Sequence, residues 1–149
     1  MNLIQITPAR GFDPAELSEL RVEAMRPSLE AAGLFNPVGM RRSFLETYEP
    51  EATFLIHHEA ALAGFYILRS RPDHLYLNHL YIRQAQQGCG LGQVAVRTVQ
   101  GTARVAGLPV RLKAVQGSPA NAFYVSCGFE LENSDEVDNF YIWRARSAD

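Results

Sequence analysis

The segment Gln87-Gly88-Cys89-Gly90-Leu91-Gly92 has the residue types and spacing best suited to chemistry in this 149-residue chain. Three glycines alternate with other residues directly ahead of an amphipathic stretch. Glycine adopts backbone conformations that other residues avoid, so successive N–H groups can converge on one point. A helix starting there adds about half a positive charge at its N-terminus. Together these features describe an anion site, with phosphate the best-suited ligand; a plain tight turn between strand and helix would use the same glycines. Two familiar phosphate loops are excluded. No Gly-Lys-Ser/Thr is present, so this is not the nucleoside-triphosphate P-loop. The spacing is Gly-x-Gly-x-Gly and not Gly-x-Gly-x-x-Gly. It also follows β-rich sequence in mid-chain, without the βαβ unit and downstream acidic residue of a dinucleotide fold.

The elements that must position this loop can be read from periodicity. Leu3 to Thr7 alternates weakly and ends at Pro8, as a short strand does. Asp13-Pro14 supplies an N-cap followed by proline at the first helical position. Leu17, Leu20 and Ala24 then recur at helical spacing, and Pro27 is expected to limit that helix. Asn36-Pro37 starts a second helix carrying Val38, Met40, Phe44, Leu45 and Tyr48. Ala52–His57 and Leu62–Leu68 are rich in β-formers, joined by a short hairpin turn at 58–61. Leu75–Ile82 is the next strand, leading into the glycine loop. Gly90–Ala106 reads as a helix stopped by Gly107, Val110–Val115 as a strand, and Pro119–Cys127 as a short helix ended by Gly128. Phe129–Leu131 and Phe140–Trp143 supply the last strands. The order is β-α-α-β-β-β-α-β-α-β-β, an α/β (α+β) arrangement whose first half is mostly antiparallel.

Composition narrows the classes. Fourteen Lys and Arg against sixteen Asp and Glu give a net charge of −2, which argues against nucleic acid as a partner. No apolar run approaches the roughly 20 residues of a membrane-spanning helix, and the first five residues lack the basic start and apolar core of a signal peptide. A cytoplasmic, single-domain protein over residues 1–149 is expected, with no membrane partner. Cys89 and Cys127 are too few and too far apart for a disulfide framework or a Cys-x-x-Cys metal site, so no metal is expected.

Gln87-Gly88-Cys89-Gly90-Leu91-Gly92 resembles the Gln/Arg-x-x-Gly-x-Gly/Ala loop with which GNAT-superfamily N-acetyltransferases hold the pyrophosphate of acetyl-CoA. Downstream, Ser118-Pro119-Ala120-Asn121-Ala122-Phe123-Tyr124, followed by Gly128-Phe129, is similar to the same family's Asn-x-Ala-x-x-x-Tyr…Gly-Phe segment. The order of elements is also similar, so the resemblance spans essentially the whole chain. It implies a GNAT-like acyl-CoA N-acyltransferase fold, a central mixed, mostly antiparallel sheet flanked by helices. Acetyl-CoA would be the acyl-donor co-substrate, and a small-molecule or peptide amine the acceptor. A homodimer stays open, since relatives often form one. Two positions depart from the family pattern: Cys89 stands where a basic residue is common, and Ser118 where many relatives carry Asn.

The resemblance further implies cofactor contacts from Leu80, Tyr81 and Ile82 through their backbone, from residues 87–92, and from Ser118, Ala120 and Tyr124. Tyr124 would protonate the departing CoA thiolate, a role suited to a phenol that is protonated at neutral pH; a core tyrosine beside Phe123 and Phe129 is the structural alternative. The family's base falls at positions matching Tyr76 or Asn78, and neither takes a proton from an ammonium directly. A water held by Asn78 is therefore the expected proton route, with His79 second because strand alternation puts it on the other face. The acidic stretch from Glu130 to Asp138 reads as a solvated loop, with attraction of a cationic amine as the other option. Arg41 and Arg42 face either an anionic acceptor or plain solvent. A catalytically silent acyl-CoA-binding or sensing domain on the same fold remains the alternative function.

Overall fold

A computed structural model describes residues 3–146. Its elements are β1 (Ile4–Pro8), α1 (Pro14–Ala31), α2 (Pro37–Glu46), β2 (Thr53–His58), β3 (Ala61–Ser70), β4 (Leu75–Ile82), α3 (Leu91–Ala106), β5 (Val110–Val115), α4 (Ala120–Ser126), β6 (Glu130–Ser134) and β7 (Asp138–Trp143), with short 3₁₀ turns at Pro50–Ala52 and Gln84–Gln86. The order of strands and helices is the expected one. The strands form a seven-stranded mixed sheet in the order β1-β2-β3-β4-β5-β7-β6. β4 and β5 run parallel, while β1–β2, β2–β3, β5–β7 and β6–β7 are antiparallel. Among the described residues no helix is long and apolar enough to cross a membrane.

The chain divides into two compact units, one comprising residues up to Ile67 with His79–Gly92, the other Leu68–Asn78 with Gln93 onward. In the first unit, α1 begins where Asp13 Oδ1 accepts from Ala15 N at 2.9 Å, and α2 where Asn36 Oδ1 accepts from Gly39 N at 3.0 Å. Both caps satisfy N–H groups that a helix start leaves open. The expected stop at Pro27 is overturned: α1 continues to Ala31 with Pro27 inside it. Proline forfeits one helix hydrogen bond but does not forbid the next turn. The buried side chain of Leu29 anchors that turn, and Gly33 (φ +71°) ends it, with Leu34 N bonding Leu29 O at 2.8 Å. Leu17, Leu20, Phe44, Leu55, Phe65 and Ile67 form the core of this unit, each fully buried side chain contributing about 1.5–3 kcal/mol. The Phe44 ring meets Phe65 edge-on at 5.7 Å. The β2–β3 hairpin turns through two residues, Glu59 (φ 52°) and Ala60 (φ 70°), between the paired His58 and Ala61. Both are left-handed without being glycine, as the right-handed twist of a two-residue hairpin requires.

In the second unit, the apolar face of α3 is buried through Ala95, Val96, Val99 and Ala103, and β5 through Val110, Leu112 and Ala114. Gln100 Nε2 donates to Cys127 O at 2.9 Å, tying α3 to the end of α4, and the Arg104 guanidinium lies 5.2 Å above the Trp143 ring. β5 pairs with β7 along its whole length, from Val110↔Trp143 to Val115↔Asp138. The β4–β5 ladder is much shorter. It consists of Leu75↔Val110 and Tyr76↔Arg111 and then stops, although β4 and β5 continue.

Gly64 of β3 lies against the end of β4 in the first unit. A Cβ there would collide with the Tyr81 carbonyl oxygen and lie 2.9 Å from Ile82 Cδ1. Backbone cannot yield as a flexible side chain can. Gly64→Ala is therefore expected to cost about 1–3 kcal/mol, the usual range for overpacking, read as a lower midpoint in denaturant unfolding.

Candidate active site

The glycine loop lies between the end of β4 and the start of α3. After β4, Arg83 N donates to Ala63 O at 2.8 Å and its Nε to Leu62 O at 3.0 Å. The chain then makes the 3₁₀ turn at Gln84–Gln86, and Gln87 folds its side chain back so that Nε2 donates to Ile82 O at 3.1 Å. Gln87 thus braces the loop internally. Gly88 and Gly90 have φ of +84° and +79°, with Cys89 between them and α3 starting at Leu91. A Cβ on either glycine would meet nothing within 4 Å. Glycine is needed there for the sign of φ and not for space. The loop is exposed while Leu91 is buried, so the helix start is fixed and its opening N–H groups, which have no intrahelical acceptor, are presented beside the loop.

The two residues proposed for the proton route are each held by a neighbour. In the second unit, the buried Arg69 (5% exposed) donates from Nε to Asn78 Oδ1 at 3.0 Å. An arginine nitrogen can only donate, so the oxygen end of the Asn78 amide is assigned and its NH₂ is the end that points elsewhere. Asn78 therefore serves other partners as a donor. In the first unit, His79 Nδ1 lies 2.8 Å from Tyr81 Oη, and the His79 ring stands 5.4 Å from Phe44. Tyr81 Oη also faces Arg21 Nε at 3.4 Å. His79 is 9% exposed and sits on the core-facing side of its strand, as alternation requires. Leu80 and Ile82 are half-buried.

At the start of α4, Asn121 is a hub that the sequence reading did not single out. Its Nδ2 donates to Val115 O at 2.8 Å and Ser118 O at 2.9 Å, and faces Ser118 Oγ at 3.2 Å. Its Oδ1 accepts from Tyr141 Oη at 2.8 Å and Asn139 Nδ2 at 2.9 Å. One amide joins the end of β5, the first turn of α4 and β7, so Ser118 is fixed as part of this network. Ala120 opens α4. Tyr124 is 8% exposed, its ring 5.3 Å from Phe123 and 5.6 Å from Phe129. The Phe129 N–H bonds Tyr124 O at 3.1 Å, locking the helix end beneath that ring.

Much of the acidic stretch has structural work. Asp135 Oδ1 accepts from the N–H groups of Val137 at 2.8 Å and Asp138 at 2.7 Å, and these bonds hold its carboxyl below the ordinary range. Glu132 meets Arg111 at 3.2 Å and Asp138 meets Lys113 at 3.5 Å. On α2, Arg41 makes a two-pronged contact with Glu19 of α1 at 2.7 and 3.0 Å, so it joins two helices at the surface. The second unit also holds a cleft of about 530 Å³ lined by Tyr76, Arg111, Glu132 and Phe140 among others. Burial raises the Tyr76 phenol above its ordinary pKa. Arg111 and Phe140 come from separate strands, and no local motif marks them.

A family model described as the acetyltransferase (GNAT) family matches residues 16–129. No curated protein sequence matches the chain significantly. Among solved structures, the PaiA N-acetyltransferase of Thermoplasma acidophilum, in complex with coenzyme A, is similar with a TM-score of 0.80 and 18% identity, over 96% of this chain and 99% of that one. The N-acetylglutamate synthase of Neisseria gonorrhoeae, complexed with coenzyme A and N-acetyl-glutamate, gives 0.71 and 18% over 97% of this chain and 35% of that one. An acetyltransferase of Thermus thermophilus gives 0.66 and 20%, over 93% and 95%. Likeness at these identities is one of fold, and it agrees with the family match: the chain belongs to the GNAT acetyltransferase family.

Proposed function

We propose that the protein is an N-acetyltransferase that moves an acetyl group from acetyl-CoA to a primary amine, on a small molecule or a peptide, by direct attack. The observation that carries this reading is the loop at 87–92, where two left-handed glycines lead straight into the anchored start of α3. Its backbone N–H groups would hold the CoA pyrophosphate. Backbone groups of Leu80, Tyr81 and Ile82 would pair with the pantetheine arm as an added strand does, and an amide donor aimed at the acetyl oxygen would stabilise the oxyanion. The amine nitrogen bonds to the acetyl carbon, the carbon–sulfur bond breaks, and Tyr124 supplies a proton to the leaving thiolate and regains one from solvent. The proton released by the amine leaves through a water held at the Asn78 amide. His79 is the second route, disfavoured by its bond to Tyr81 Oη. The same internal partners of Asn78 and His79 favour a second reading, a silent acyl-CoA-binding domain.

A panel of amines with acetyl-CoA and a free-thiol readout separates the two. Amine-dependent thiol release is expected; CoA binding without release would support the silent domain. Tyr124→Phe is expected to keep CoA binding and slow transfer by about 10²-fold or more, a typical general-acid contribution. Unchanged turnover in an assay limited by chemistry would remove Tyr124 from that role.

The two thiols provide a check on the loop itself. Cys89 is exposed, whereas Cys127 is half-buried and burial pushes its thiol up in pKa. The reactive thiolate of Cys127 therefore forms only at higher pH, and brief alkylation near neutrality is expected to label Cys89 first. CoA should slow labelling of Cys89 by crowding the loop. Peptide mapping with and without CoA measures both effects, and a Cys89 rate unchanged by bound CoA would count against the loop assignment.

A further inference from the structure

The segment that leads into the anion loop is fastened to the β2–β3 hairpin in the first unit. Two of the fastenings, from Arg83 to Ala63 O and Leu62 O, hold the end of β4. The third acts one residue ahead of Gln87: His58 Nδ1 lies 2.8 Å from Gln86 Oε1, the last residue of the 3₁₀ turn. His58 ends β2, directly before the two-residue turn, and is 9% exposed. Its other ring nitrogen, Nε2, is buried and has no hydrogen-bond partner among the described residues. A proton there would be a buried donor with nothing to receive it, a costlier defect than an unfilled acceptor. The proton therefore belongs on Nδ1, and the ring donates to Gln86 Oε1.

Gly88 and Gly90 gain their left-handed turns from freedom, and freedom alone does not aim N–H groups at a ligand. The aim has to come from fixed points on either side. Downstream that point is the buried Leu91. Upstream, the side-chain bond closest to the loop apart from Gln87's own is the one between His58 and Gln86. We propose that His58 is a positioning residue for the anion loop, setting affinity for the pyrophosphate end of CoA from a hairpin that supplies no residue to the loop. This rests on the acyl-CoA reading above.

Titration calorimetry with CoA tests it, with thermal unfolding to confirm that each variant folds. His58→Phe keeps the ring volume and removes the donor. It should weaken CoA binding by about fivefold to tenfold, the worth of one buried hydrogen bond. His58→Asn, whose amide nitrogen can take the place of Nδ1, should stay within about twofold of the parent. Gln86→Leu should lose as much as His58→Phe, and the double variant no more than either alone, because both remove the same bond. Pantetheine, which lacks the pyrophosphate, should bind the parent and His58→Phe equally. Unchanged CoA affinity in His58→Phe, additive losses in the double variant, or a parallel loss for pantetheine would each overturn the proposal. Failure of the parent protein to bind CoA would instead overturn the acyl-CoA reading, and the role of His58 with it.

Discussion

The reversal of backbone handedness at Gly88 and Gly90 is the constraint on which the loop depends. Strand β4 ends at Ile82 and helix α3 begins at Leu91, so the chain has eight residues in which to change period. It does so by a 3₁₀ turn and then two residues at positive φ. A side chain at either glycine would find open space and still be strained, because the penalty arises within the residue's own backbone. The loop thus offers backbone groups and a helix start, with no cationic side chain from 87 to 92.

Within each unit, polar side chains are spent on fixing one another. A buried polar group must find a partner, and a donor-only partner dictates which end of an amide it meets. Arg69 does this to Asn78, and the nitrogen end of that amide is left to donate. His79 is engaged by Tyr81, and Ser118 by Asn121. Asn121 uses both ends of its amide to join three elements of the second unit. Asn78 and His79 also have a reading in proton transfer, and in each the observed bond narrows what the side chain can do.

Parts of this arrangement are legible in the sequence for local reasons. Asp13-Pro14 and Asn36-Pro37 start helices because capping and proline geometry act within a few residues, and both caps are formed. The β4 and β5 boundaries coincide with the strand-like segments Leu75–Ile82 and Val110–Val115. Where the expectation failed, a distant contact had outweighed a local preference. Pro27 disfavours continuation of α1, but Leu29 buries its side chain and carries the helix on to Ala31. The expected hairpin turn at 58–61 does form, although its left-handed pair Glu59-Ala60 lacks the usual glycine or asparagine.

The sequence by itself determined the order of elements, the glycine loop at a helix start and the resemblance that names the family, because these depend on residue type and short spacing. Only the tertiary structure decided that the β4–β5 ladder stops after Tyr76 and Arg111, that Asn78 turns its oxygen to Arg69, and that His58 reaches Gln86. Strand register and side-chain partners are set by packing between residues far apart in the chain. Such choices leave no periodic or local signal, since any polar residue of suitable length could have made the bond from where it stands in the sequence.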